Sequence, residues 1–248
     1  LFCIKILKSF MKKAHKISAF GIFIMYISEI TEKTDFLKLG FCPFLLCQST
    51  QNREIPYNLV MKNRIETERL ILRLFTKEDI NALFAIFSDK DVNTFLPMFP
   101  LRNIEEAKEY LRYIEEYAGY YYAICLKENN IPIGCIHISE DDSHDLGYCI
   151  GKKFWHKGIC TEACRAMVGM LRQVGIPYIT ATHDVNNPRS GNVMQAIGMT
   201  YRYSYEELWQ PKNVLVTFRM YQLNFDGQQN RVYKKYWDKY PVHFVEEI

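Results

Sequence analysis

The chain has 248 residues, 48% of them hydrophobic, and a net charge of +3, an ordinary globular balance for one large or two small domains. Its basic excess lies in residues 1–60, with eight Lys/Arg against four Asp/Glu; the remainder holds 23 against 24. The near-neutral remainder argues against a nucleic-acid partner. The eight cysteines, at 3, 42, 47, 125, 135, 149, 160 and 164, include no Cys-x-x-Cys pair and no zinc spacing, so a reduced, cytoplasmic protein without a metal is expected.

Residues 1–60 stand apart. Lys12, Lys13 and Lys16 precede an apolar run over 17–27 that imitates a signal peptide but lacks a small-residue cleavage site. The run is short for a bilayer span. The segment is read as an N-terminal extension outside the folded domain, so no membrane partner is expected; a membrane anchor is the alternative.

From 61 onward the pattern becomes regular. Residues 69–75 read as a strand. Thr76, with Asp79 three residues on, opens a helix whose apolar face is Ile80, Leu83, Phe84 and Phe87. Residues 88–100 form a loop, and Asn103 starts a second helix with Ala107, Tyr110, Leu111 and Ile114 at helical spacing. Two strands, 119–126 and 132–139, are joined through Asn129-Asn130 as a hairpin.

Next comes Asp145-Leu-Gly-Tyr-Cys-Ile150, a strand with alternating Leu146, Tyr148 and Ile150. A loop and a helix over 161–175 follow, with Thr161 near its start and Glu162 in the first turn. Gly158 lets a ligand approach the backbone, and free N–H groups at a helix start attract anions. A strand over 178–182, a polar loop with a short helix, a glycine stop at Gly198, and strands 201–207 and 213–222 complete the domain. The aromatic tail 224–248 is expected to pack on its own domain or on a neighbouring subunit, which leaves room for a homodimer.

Four pieces in order carry a resemblance: Leu-Gly-Tyr (146–148), Phe-Trp-x-Lys-Gly-x-x-Thr-Glu-Ala (154–163), Asn-x-x-Ser (187–190) and Ile-Gly-Met (197–199). With Glu66-Thr-Glu-Arg-Leu-Ile-Leu-Arg73, they resemble the GNAT superfamily of acetyl-CoA-dependent N-acetyltransferases. The likeness is to the branch of ribosomal-protein N-terminal alanine and serine acetyltransferases. It implies a mixed α/β GNAT fold: a central, mostly antiparallel sheet splayed around the acetyl-CoA site, with flanking helices. The domain would occupy 61–223, with acetyl-CoA as co-substrate and an amine as acceptor.

The resemblance also implies roles. Backbone N–H groups of His156, Lys157, Gly158, Ile159, Cys160 and Thr161 would hold the coenzyme pyrophosphate, with the helix dipole and without a metal. Trp155 and Cys160 depart from the usual Arg/Gln-x-x-Gly-x-Gly/Ala loop. The strand bearing Tyr148 and Ile150 would polarise the thioester. Asn187 would hold the coenzyme near its thiol, and Ser190 would return a proton to the thiolate. Met194 stands where many relatives carry a general-acid tyrosine, which excludes a tyrosine acid at that position. Asp145 is the first candidate for the general base; His183 and Asp184 are the runners-up. A coenzyme-binding module without catalysis is the alternative function.

Overall fold

The computed structural model describes residues 63–248 apart from Ala118. The extension over 1–60, including its apolar run, lies outside the described residues.

Five strands form one antiparallel sheet in sequence order: β1 (Arg64–Glu66), β2 (Leu70–Leu74), β3 (Gly119–Leu126), β4 (Pro132–Ser139) and β5 (Leu146–Ile150). Four more form a second sheet, from β6 (Tyr178–Asp184), β7 (Thr200–Trp209), β8 (Val214–Asn224) and β9 (His243–Phe244), in the order β6-β8-β7-β9. Helices α1 (Ile80–Phe87), α2 (Lys90–Asn93) and α3 (Ile104–Glu115) separate β2 from β3. Helix α4 (Ile159–Val174) joins the two sheets, α5 (Pro188–Ala196) follows β6, and α6 (Lys235–Lys239) lies in the tail.

Strand alternation divides the first sheet into two buried faces. Leu70, Leu72, Ile124, Ile136, Ile138, Leu146 and Ile150 pack against α4 residues Ile159, Ala163, Met167, Val168 and Leu171. Ile71, Ala123, Cys125, Cys135 and Cys149 pack on the other side against Leu83, Ile86 and Phe87 of α1 and Ala107, Leu111 and Ile114 of α3. The cysteines therefore act as small apolar fillers.

Local chemistry explains the helix starts. Thr76 and Asp79 form a capping box around a 3₁₀ turn, from which α1 continues at Ile80, and Asp79 also receives a two-pronged bond from Arg73 at 2.6 and 2.8 Å. Asn103 caps α3 by accepting the Glu106 N–H at 3.0 Å. Within the expected 88–100 loop, Asp89 accepts from the Asp91 N–H at 2.8 Å and starts the single turn of α2.

Helix α4 begins at Ile159, two residues before the predicted start. Its N-cap is Gly158 at φ +71°, and that left-handed turn lets Ile159 drop into the core as the first helical residue. Strand β6 runs past the predicted 182 to Asp184, because His183 and Asp184 keep register with Arg219 and Phe218 of β8. The tail packs on its own domain: Tyr233, Tyr236, Trp237 and Tyr240 cover Tyr203, Tyr205, Phe218 and Met220, while β9 pairs with β7.

Candidate active site

The two sheets touch along β5 and β6 only at the start of those strands. Asp145 bridges Thr180 in parallel, the Thr180 N–H reaches the His144 carbonyl at 3.4 Å, and the Thr180 hydroxyl donates to the Ser143 carbonyl at 2.9 Å. No further ladder joins β5 to β6 among the described residues. Past that bridge the β6-facing edge of β5 is unpaired, which leaves a gap, or cleft, between the two strands with free backbone groups along β5.

Residues of β5 face opposite sides of this cleft. Cys149 packs towards α1 and α3, and Gly147 and Asp145 share its face by alternation; Leu146, Tyr148 and Ile150 lie on the face that packs against α4 and α5. On the second side, Tyr148 donates to the Ser190 carbonyl at 2.8 Å, and its phenol oxygen lies 3.0 Å from Ser190 Oγ. Burial raises the Tyr148 phenol well above its ordinary value, so it is a neutral hydrogen-bonding group. Met194 is buried with 1% exposure. The phenol near Ser190 therefore comes from a strand rather than from the helix position where relatives carry one.

Asp145 occupies the first side. Burial, then the charge of Asp141, raises its carboxyl from 3.8 to about 7, against a bond from Thr180 that lowers it. Around it stand tyrosines. Burial and then the Asp145 charge raise Tyr236, which stacks on Tyr205 at 5.3 Å.

His183 lies elsewhere. It shares its face of β6 with the core residues Ile179 and Ala181, opposite Thr180 and Asp145. Its Nδ1 is 2.8 Å from the Asp184 carbonyl. A Cβ on Gly191 would come within 2.6 Å of its Nε2, so the ring is packed against α5. Burial lowers its pKa. The base candidates are thus separated by the sheet. Asp184 serves the following turn, its carboxylate accepting from Asn186 at 2.8 and 2.9 Å.

Two groups take parts in the fold that local sequence pattern does not show. His137 of β4 lies directly across from Gly147, stacks on Tyr121 at 5.0 Å, and has Nδ1 3.4 Å from the Tyr117 hydroxyl. Burial lowers it to about 4, so it is neutral near pH 7. A Cβ at Gly147 would sit 2.1 Å from its Nε2; only glycine fits there. Glu162 is the second, and its carboxylate turns away from the cleft to Thr67 and Arg69.

The loop before α4 is open. His156, Lys157 and Gly158 are exposed, and no side chain caps the helix, so N–H groups of its first turn face outward without intrahelical partners. Trp155 is folded back by a 2.8 Å bond from Nε1 to the Ile150 carbonyl, and the Arg189 guanidinium from α5 lies over its ring at 5.7 Å. Asn187 is the N-cap position of α5, and its side chain makes no capping bond. Cys160 and Thr161 are half-buried in the first turn. Burial pushes the Cys160 thiol up to about 12, so it stays protonated and is a poor nucleophile. Among the described residues no cluster of three or more His, Cys, Asp or Glu could hold a metal, and no helix is long and apolar enough to cross a membrane.

An antiparallel sheet opening at β5, an uncapped glycine turn into α4 and a second sheet beyond define a splayed α/β acyltransferase architecture. The family model of the acetyltransferase (GNAT) domain matches residues 69–200, and the chain belongs to this family of enzymes that transfer an acetyl group from acetyl-CoA. An N-acetyltransferase of Bacillus licheniformis, p20, described as uncharacterized, is 22% identical over 166 residues, covering 63% of this chain and 93% of its own. A GNAT-family acetyltransferase from Bacillus anthracis superposes with a TM-score of 0.60 at 23% identity, covering 66% of this chain and 99% of that one. RimL, a ribosomal L7/L12 α-N-protein acetyltransferase solved in complex with coenzyme A, gives 0.58 at 18% identity, covering 66% and 98%. These two structures share the fold with this chain.

Proposed function

We propose that this enzyme acetylates a primary amine, a protein N-terminus or a small molecule, by direct attack on acetyl-CoA in a ternary complex. The carrying observation is the cleft at β5, with Asp145 on one side and the Tyr148–Ser190 pair on the other. The turn and helix start over 156–161, exposed at His156, Lys157 and Gly158, and Asn187 are the binding groups for the coenzyme. The open backbone of β5 offers N–H donors to the thioester oxygen, where negative charge develops during attack.

Asp145 takes a proton from the incoming ammonium, directly or through water. Its pKa of about 7 lies close to that of an α-amino group, roughly 8, which suits proton transfer near neutral pH. His137 is too weakly basic for that task, and His183 faces the other side. On the leaving-group side, the Ser190 hydroxyl gives its proton to the coenzyme thiolate and takes one back from solvent, while Tyr148, donating to the Ser190 carbonyl, holds that turn in place.

A mass-spectrometric screen of amine acceptors with acetyl-CoA tests this reading. Acetylated product from a primary amine is the expected outcome. Coenzyme binding without transfer to any amine would support the binding-module alternative instead.

A further inference from the structure

We infer that Arg69 and Glu162 form a clamp that positions the turn into α4 for phosphate binding, an inference that rests on the coenzyme reading of residues 156–161. The Glu162 carboxylate accepts from the Thr67 hydroxyl at 2.5 Å, the Arg69 N–H at 3.0 Å and Arg69 Nε at 2.7 Å. Arg69 then donates from Nη1 to the Lys157 carbonyl at 3.0 Å. The guanidinium therefore ties the first turn of α4 to the residue just before its glycine N-cap. Its Nη2 lies beside that glycine: a Cβ built on Gly158 would be 3.7 Å from it and from nothing else within 4 Å.

Two physical consequences follow. A carbonyl of an exposed turn can point either way, and when it points at a phosphate it repels it. Holding the Lys157 carbonyl on Arg69 fixes the adjoining peptide, so the Gly158 N–H is turned away from that carbonyl. The second consequence is electrostatic. Glu162 places a negative charge in the first turn of a helix meant to receive an anionic pyrophosphate, and Arg69 offsets it at contact distance. A lysine could supply the charge but not the fork that reaches Glu162 and Lys157 together.

Arg69 is thus a positioning residue for the phosphate end of the coenzyme, with no part in the chemistry at the thioester. Calorimetry with acetyl-CoA and with S-acetylpantetheine, which lacks the pyrophosphate, separates this role from general structural support. Arg69→Gln should weaken acetyl-CoA binding about tenfold, the worth of one partly exposed charge-assisted hydrogen bond, and leave S-acetylpantetheine binding unchanged. Equal loss for both ligands, or no loss for acetyl-CoA, would overturn the inference. If Arg69→Gln fails to fold, Arg69→Lys carries the same comparison with the same expected outcome. Gly158→Asp on the same assay tests the underlying reading: intact acetyl-CoA affinity there sinks the turn as the phosphate site. Loss in Gly158→Asp with none in the Arg69 variants sinks the clamp alone.

Discussion

A carboxyl group buried beside the negative charge of Asp141 is costly to ionise, and Asp145 consequently holds its proton up to about pH 7. Folding raises its pKa above the ordinary value of 3.8, so the folded chain binds the extra proton between those two values. Its contribution to stability is present at pH 4 and lost as pH rises through about 7. Asp145→Asn removes the ionisation. Its melting temperature should match the native protein near pH 4 and exceed it at pH 8, by the equivalent of about 2–4 kcal/mol. Activity should move the other way: the rise of kcat/KM with pH through about 7 should vanish in Asp145→Asn. Thermal melts and a pH–rate profile check the two halves. For the opposite side of the cleft, Ser190→Ala should lower kcat by about 10²-fold, the low end for a positioned proton donor, with acetyl-CoA affinity nearly unchanged. Tyr148→Phe should give a smaller loss of the same kind, because Ser190 keeps its hydroxyl but loses its anchor; single-turnover kinetics with a separate coenzyme titration distinguishes both from a binding defect.

At the scale of elements, most of the architecture was legible because each piece carried a local signal. Caps at Thr76 and Asn103, the Asn129-Asn130 hairpin and the alternation of β5 gave the order of helices and strands. Helix α4 starts before Thr161 because, although Thr161 is a better N-cap residue than Gly158 by side chain, a positive φ decides the matter in the fold. Strand β1 has no signature in the sequence, since three residues at a sheet edge give no period to read. The pairing of Arg69 with Glu162, 93 residues apart, and of Tyr148 with Ser190, 42 apart, cannot be seen in local pattern at all. His137 was overlooked for the same reason, its role being set by a cross-strand glycine. Besides its aromatic packing and the β7–β9 pairing, the tail is fastened at Gln222. Buried Gln222 accepts the Tyr233 N–H at 2.7 Å and donates to Asn224 and to the Arg231 carbonyl. Gln222→Ala would leave the Tyr233 N–H buried and unpaired, which should cost about 1–3 kcal/mol. Faster proteolysis between Gln228 and Tyr240, alongside a lower denaturation midpoint, is the expected result.

Across the whole molecule, two sheets are held together at one end and open at the other, and every proposed chemical role lies along that opening. Asp145 sits at the hinge of the opening, Tyr148 and Ser190 span its far side, and the glycine turn of α4 lies beyond the end of β5. The proposed base, Asp145, and the proposed acid, Ser190, which meets Tyr148, lie on opposite faces of β5, so in this reading the acceptor and the coenzyme enter from different sides without competing for space. The family assignment covers residues 69–200 and thus includes Asp145, Tyr148, Gly158, Asn187 and Ser190; the acceptor is the part on which it says least. The measurement that bears most directly on the account is therefore a transfer assay with the full chain, acetyl-CoA and a mixed panel of peptides and small amines, read by mass spectrometry beside the Asp145→Asn variant. The account expects a primary amine to gain one acetyl group, with transfer by the variant losing its dependence on pH near 7. Acetyl-CoA binding with no acetylated amine, or a variant with the native pH profile, would contradict it.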